Sequence, residues 1–97
     1  MLSAIEQLAY GAFKHLKYIY FSDTNITAEQ FNELVTRAPH LEEIDMRWNY
    51  DLIKKFKYLR LKSLRKLRVI RLGRYDAAPD RLQALQQDLA PIVLEVC

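Results

Sequence analysis

The stretch His40-Leu41-Glu42-Glu43-Ile44-Asp45-Met46 decides how the chain is read. Its apolar residues fall as apolar-x-x-apolar-x-apolar: Leu41, Ile44, Met46. The last two alternate with acids, which is the mark of a strand with one buried face. Working outward, the same triplet recurs as Leu16-Ile19-Phe21, Leu67-Ile70-Leu72 and Leu89-Ile92-Leu94. The leading leucines are separated by 25, 26 and 22 residues, so the chain is built from a repeat.

A helical signal precedes each triplet. Ile5, Leu8, Ala9 and Ala12 precede the first, and Phe31, Leu34, Val35 and Ala38 the second. Leu52, Phe56, Leu59 and Leu64 precede the third, and Leu82, Leu85 and Leu89 the fourth. Ser3-x-x-Glu6 and Thr27-x-x-Gln30 read as capping boxes, in which hydroxyl and carboxamide satisfy backbone N–H groups that the helix leaves unpaired. Asp51 and Asp80 read as N-caps for the other two helices, and Pro39 helps to stop the second.

The expected unit is helix, turn, strand and loop, taken four times. Strands are predicted near 17–21, 42–46, 68–72 and 92–96. A helical crossover returns the chain in the same direction, so the strands are predicted parallel. One such unit cannot bury its own apolar face, so stacking makes the core. A period of this length with one strand and one helix is that of the leucine-rich repeat. The expected fold is a right-handed α/β solenoid arc of about four units, approximately 1–24, 25–49, 50–76 and 77–97, with a short parallel sheet on its concave side.

One segment carries a closer resemblance. Phe21-Ser-Asp-Thr24-Asn-Ile26-Thr27, then Phe31 and Leu34, then Ala38-Pro39-His40-Leu41, resembles the cysteine-containing leucine-rich repeat of F-box proteins. That repeat runs L-x-L-x-x-C-x-x-I-T-D, L-x-x-L, C-P-x-L-x-x-L. Thr24 and Ala38 stand where the family often has cysteine, and the loop before Ile26 is one residue shorter. The resemblance implies a recognition surface of the kind used by substrate receptors of cullin-RING ubiquitin ligases. Residues 1–13 supply a single helical pattern, in which no F-box is read.

If the triplets face inward, the residues between them form three outward rows. Tyr18, Glu43, Val69 and Pro91 make the first. Tyr20, Asp45, Arg71 and Val93 make the second. Ser22, Arg47, Gly73 and Glu95 make the third, with Trp48 and Arg74 just beyond. Exposed aromatic and arginine side chains on a rigid support are the usual material of a binding hot spot. The candidate partner-binding residues are therefore Tyr18, Tyr20, Asp45, Arg47, Trp48, Arg71 and Arg74, and the expected partner is a protein. A blander assignment is that Asp45 and Arg71 only pair across strands while the tyrosines shield the sheet edge.

The net charge of +3 conceals a polarised chain. Residues 54–74 carry ten basic side chains and no acid, whereas 1–53 and 75–97 are net negative by four and three. Lys54, Lys55, Lys57, Arg60, Lys62, Arg65 and Lys66 interleave with Leu52, Ile53, Phe56, Leu59 and Leu64 and read as an amphipathic basic helix. Its apolar stripe is needed to stack the third unit, so its cations read first as a solvated convex face. Binding of nucleic acid or an anionic membrane through 54–74 is the alternative function, with Tyr58 available to stack on a base.

Catalytic signals are poor. His15 and His40 hold the same place in two units, which is a structural recurrence. Cys97 has no partner thiol. Two glycines, Gly11 and Gly73, cannot make a phosphate loop, and no set of ligands has metal spacing. Glu42, Glu43 and Asp45 lie together, but alternation along a strand sends neighbours to opposite sides. The chain is expected to be non-enzymatic and to need no cofactor.

No apolar run is long enough to span a membrane. Residues 1–13 lack a basic n-region and read as no signal peptide. The expected location is intracellular, cytoplasmic or nuclear. A first strand lined by Tyr18, Ile19, Tyr20 and Phe21 would be an open edge. The expectation is therefore the C-terminal part of a longer repeat protein.

Overall fold

The computed structural model describes residues 13–20 and 26–97. The first helical pattern with its Ser3–Glu6 box, and the Phe21–Asn25 part of the motif, lie outside the described residues. A short 3₁₀ turn, Phe13–His15, leads into strand β1, Tyr18–Tyr20. Helix α1 is Ala28–Arg37 and β2 is Glu43–Asp45. Helix α2 is Tyr50–Lys54, followed by 3₁₀ turns at Phe56–Tyr58 and Leu61–Ser63 and by β3, Val69–Leu72. Helix α3, Pro79–Leu89, and β4, Val93–Val96, complete the described elements.

The four strands form one parallel sheet in the order β1-β2-β3-β4. Strand neighbours in sequence are thus neighbours in space, and every crossover lies between adjacent strands. The register aligns Ile19, Ile44, Ile70 and Leu94 in one inward row. Ile44 and Ile70 are wholly buried, together with Leu41, Met46 and Leu72. Strand entry repeats as well. The Lys17 carbonyl accepts from the N–H groups of Glu42 and Glu43, that of Glu42 from Arg68 and Val69, and that of Arg68 from Val93.

The register of β4 differs from the sequence reading by two residues. Leu94, not Ile92, stands beside Ile70, and the outward rows end on Val93 and Glu95 rather than on Pro91 and Val93. Leu89 explains the shift. It is the last residue of α3 and is buried as a helix residue, so it cannot also lead the strand. The inward row then advances by 25, 26 and 24 residues, which is more even than the leucine spacing.

Helix α1 follows its sequence signals. Thr27 Oγ1 accepts from the Gln30 N–H and Gln30 Oε1 accepts from the Thr27 N–H, a complete capping box. Phe31, Leu34 and Val35 make its buried face. The other two N-caps are corrected. Asp80 lies in the first turn of α3, behind Pro79, and Ala78 is the cap. Proline suits that first position because its missing N–H would be unpaired there. Asp51 lies inside α2, and Asn49 precedes that helix.

The continuous basic helix expected over 52–66 is the largest correction. The segment is one short α-helix followed by two 3₁₀ turns. Its buried residues explain this. Leu52, Ile53, Phe56, Leu59, Leu61, Leu64 and Leu67 mostly recur every two or three residues. That spacing fits three residues per turn rather than 3.6.

Two side-chain amides grip irregular backbone, one of them across 26–28 residues and the other within 77–97. Asn32 on α1 donates from Nδ2 to the Tyr58 carbonyl and accepts at Oδ1 from the Arg60 N–H. Gln86 on α3 donates to the Ile92 carbonyl and accepts from the Leu94 N–H. Irregular backbone at 58–60 thereby obtains the pairing that a regular helix would have supplied internally. Asn32→Ala removes two bonds of about 1 kcal/mol each. A drop of about 1–2 kcal/mol in urea unfolding is expected at unchanged m-value. An unchanged midpoint would show that the brace does not hold the 3₁₀ segment.

Candidate functional site: the outward face of the sheet and its exit turns

Strand alternation sends Tyr18, Glu43 and Val69 outward in one row, continued by Val93. Tyr20, Asp45, Arg71 and Glu95 make the next row. The tyrosines are exposed, Tyr20 at 63%. Asp45 is not: only 3% of it is accessible although it sits on the outward side. Ser22, expected in a third row, lies outside the described residues.

The charged groups explain this burial. Arg47 wraps back on Asp45, with Nε 2.9 Å from Oδ1 and Nη2 2.9 Å from Oδ2, a two-pronged pair. Asp45 Oδ1 also accepts from the Arg47 N–H, closing the turn after β2. Arg71 crosses to two strands, with Nη2 2.6 Å from Glu43 and Nε 3.3 Å from Glu95. Arg68 reaches Glu42 and Glu43. The Asp45–Arg71 pair considered from sequence is not formed, because Asp45 is short and already occupied by the guanidinium two residues ahead.

The Asp45 hydrogen bond, then its charge, raises the Arg47 pKa above the ordinary guanidinium value. Arg71 is raised first by its hydrogen bond to Glu43, against desolvation, with the charge of Glu95 adding to it. Neither cation is a titrating group near neutral pH. The outward face therefore carries fixed and mostly neutralised charge, with Arg71 Nη1 buried without an acceptor.

Trp48 stands in the turn after β2, 44% exposed, at a φ of 66°. A bulky side chain rarely adopts that left-handed conformation. Asp76 holds it there. The Asp76 Oδ2 atom accepts from the Trp48 N–H at 3.1 Å and from the Gly73 N–H at 2.6 Å. This carboxylate ties the exit of β2 to the exit of β3. Gly73 lets this carboxylate come close, since a Cβ there would stand 3.1 Å from Asp76 Oδ2 and would have to displace it. Arg74 is exposed beyond this clamp, and its N–H donates to the Cys97 carbonyl.

The face thus brings Tyr18, Tyr20, Asp45 and Arg71 onto two adjacent rows. Arg47 and Trp48 follow in the β2 exit turn, and Arg74 lies just past β3. Asp76, Asn32 and Gln86 were not singled out by sequence reasoning. The one signal for Asp76 was its place three residues after Gly73 in a turn-forming stretch.

The basic residues divide into two groups. Arg68 and Arg71 are paired on the sheet. Lys54, Lys55, Lys57, Arg60, Lys62, Arg65 and Lys66 are all exposed and make no ion pair among the described residues. His15 and His40 are exposed too, and with Lys17, Glu42 and Lys66 they line a cavity of about 270 Å³. Among the described residues, no group of three or more His, Cys, Asp or Glu could hold a metal ion, and no helix is long and apolar enough to cross a membrane. No family model, no curated protein and no solved structure matches this chain.

Proposed function

We propose that the chain forms a leucine-rich-repeat solenoid of about four units whose outward sheet face recognises a protein. Support for the repeat lies in the sequential parallel strands, the even steps of the inward row and the recurring strand-entry hydrogen bonds. Support for recognition lies chiefly in Trp48. A large aromatic side chain is kept exposed in a disfavoured backbone conformation by a buried carboxylate from the next unit. Strain of this kind persists where the surroundings over-determine it, and it gathers at functional sites. Tyr18 and Tyr20 extend the aromatic surface. Arg47 and Arg71 are held by acids, so little side-chain entropy is lost when a partner docks.

In this reading the partner is the substrate of a ubiquitin-ligase receptor, as the 21–41 motif suggests, and no catalytic step belongs to this chain. The test is co-purification of the full-length product of the reading frame with a cullin-adaptor subunit. Recovery of the adaptor is expected, together with a second protein lost on Tyr20→Ala/Trp48→Ala. Absence of the adaptor would sink the ligase assignment. Retention of the second protein by the double variant would sink the assignment of the face.

The seven unpaired cations of 54–66 favour one alternative, binding of nucleic acid or an anionic membrane surface. Phosphate contacts make affinity fall steeply and linearly on a log–log plot against salt. A labelled oligonucleotide and anionic vesicles, titrated from low to high salt, separate this reading from recognition by aromatic anchors.

A further inference from the structure

A second surface lies away from the aromatic rows. The 3₁₀ segment after α2 and the helix α3 enclose a groove of about 710 Å³. That volume is within the range of sites that hold ligand side chains, roughly 300–1,000 Å³. Its floor is apolar, from Phe56, Leu59, Leu61, Leu85 and Leu89, with Ala84 exposed on the α3 wall. Its rim is cationic, from Lys57, Arg60, Lys62 and Arg81, against a single acid, Asp88.

The groove lies where the 3₁₀ turns run beside α3. The rim cations stay unneutralised by ion pairs among the described residues. Lys57 rests over the Tyr58 ring at 5.2 Å, and Arg81 donates from Nη2 to the Ile53 carbonyl, which fixes one end of the rim. On the sheet, Arg47, Arg68 and Arg71 each have an acid of this chain beside them. On the groove, Lys57, Arg60 and Lys62 make no ion pair among the described residues and outnumber the one lining acid, Asp88, so the rim suits an acid on another molecule.

We propose that this groove binds an acidic protein segment carrying large apolar side chains, with the apolar anchors on the leucine floor and the carboxylates on the rim. The apolar floor distinguishes this occupant from a phosphate polymer, which would use the cations and leave the floor unfilled. Steering by the rim would speed encounter, and the floor would set the residence time.

The intact chain is panned against a displayed library of random peptides, and the enriched peptides are titrated by fluorescence anisotropy. Enrichment of sequences that combine Asp or Glu with at least two large apolar residues is expected. Their binding should weaken about tenfold or more in Ala84→Trp, which fills the groove, and in Lys57→Glu/Lys62→Glu, which reverses the rim. The rim positions are exposed and make no ion pair, so that variant keeps the fold even if Ala84→Trp does not, as circular dichroism will report. The proposal is overturned by no enrichment, by peptides without acids, or by binding indifferent to both variants. It is equally overturned if an oligonucleotide of equal charge binds as tightly and ignores Ala84→Trp, or if the variants alter only self-association.

Discussion

Asp76→Ala is expected to lower unfolding stability by about 2–4 kcal/mol. Two backbone N–H groups, of Trp48 and Gly73, lose a charged acceptor, and bonds of this kind contribute about 1.5–3 kcal/mol each. The loss falls on a turn that is already strained, because Trp48 sits at a φ of 66°. Freed of its tether, that residue is expected to leave the left-handed region. The chain has a single tryptophan, so its fluorescence reports this position alone. A change in emission maximum and anisotropy below the unfolding transition is expected together with the loss of stability.

Trp48→Gly separates the two contributions. Glycine occupies positive φ without the cost of about 1–2 kcal/mol that a Cβ brings. More than half of the indole is covered, and the loss of that contact offsets the gain. Stability close to that of the parent is expected for Trp48→Gly, against a clear loss for Asp76→Ala. Unchanged stability and emission in Asp76→Ala would show that the carboxylate does not hold the turn, and the main support for recognition at this face would go with it.

The second large effect belongs to the sheet core. Ile70→Ala is expected to cost about 3 kcal/mol, because a wholly buried side chain on an interior strand leaves a cavity among Ile44, Leu72 and their neighbours. Val69→Ala, one residue earlier and on the outward side, is expected to cost less than about 1 kcal/mol. Stabilities of a single domain of this size are about 5–15 kcal/mol, so Ile70→Ala consumes a large part of the total. Denaturant midpoints of the two variants measure the contrast. Equal losses, or the reverse order, would mean that β3 is turned over and that Arg71 faces the core.

The inward residues of the parallel strands were legible because their signal is redundant. Ile44 with Met46 and Ile70 with Leu72 alternate with polar residues, and alternation has only one buried solution on a sheet. The Thr27–Gln30 box was legible because a capping box is local: its atoms lie within four residues of one another. Besides the N-caps Asp51 and Asp80, three misreadings have separate causes. Ile92 fits the middle place of the triplet as well as Leu94 does, and only the packing of Leu89 at the end of α3 decides between them. The segment 52–66 has enough leucines to satisfy a helical template, but counting Leu61 brings the spacing down to that of 3₁₀ turns. Asp45 has the composition of an exposed acid, and its burial comes from Arg47 folding back over it.

The site was half legible. Tyr18 and Tyr20 could be named because a period of two fixes which residues leave the core, whereas Trp48, in step with the inward Ile44 and Met46, is exposed because the turn after β2 takes it to a φ of 66°. Asp76 could not, because its bond to the Trp48 N–H spans 28 residues and exists only once two units are stacked. Asn32 is hidden for the same reason, and Gln86, whose bonds span only six and eight residues, because an amide on an amphipathic helix shows nothing of the backbone it will grip.

The sequence by itself determined the parallel α/β order, the inward row of β1 to β3 and the polarity of charge, because each depends on spacing along the chain. Tertiary structure alone decided which cations are neutralised and which are free. Ion pairing depends on what the neighbouring unit presents. Glu43 and Glu95 lie beside Arg71 on adjacent strands, while the 3₁₀ segment faces α3, whose nearest acid, Asp88, stands against four cations. The same difference leaves one face of the molecule aromatic and internally paired, and opens a cationic, apolar-floored groove elsewhere.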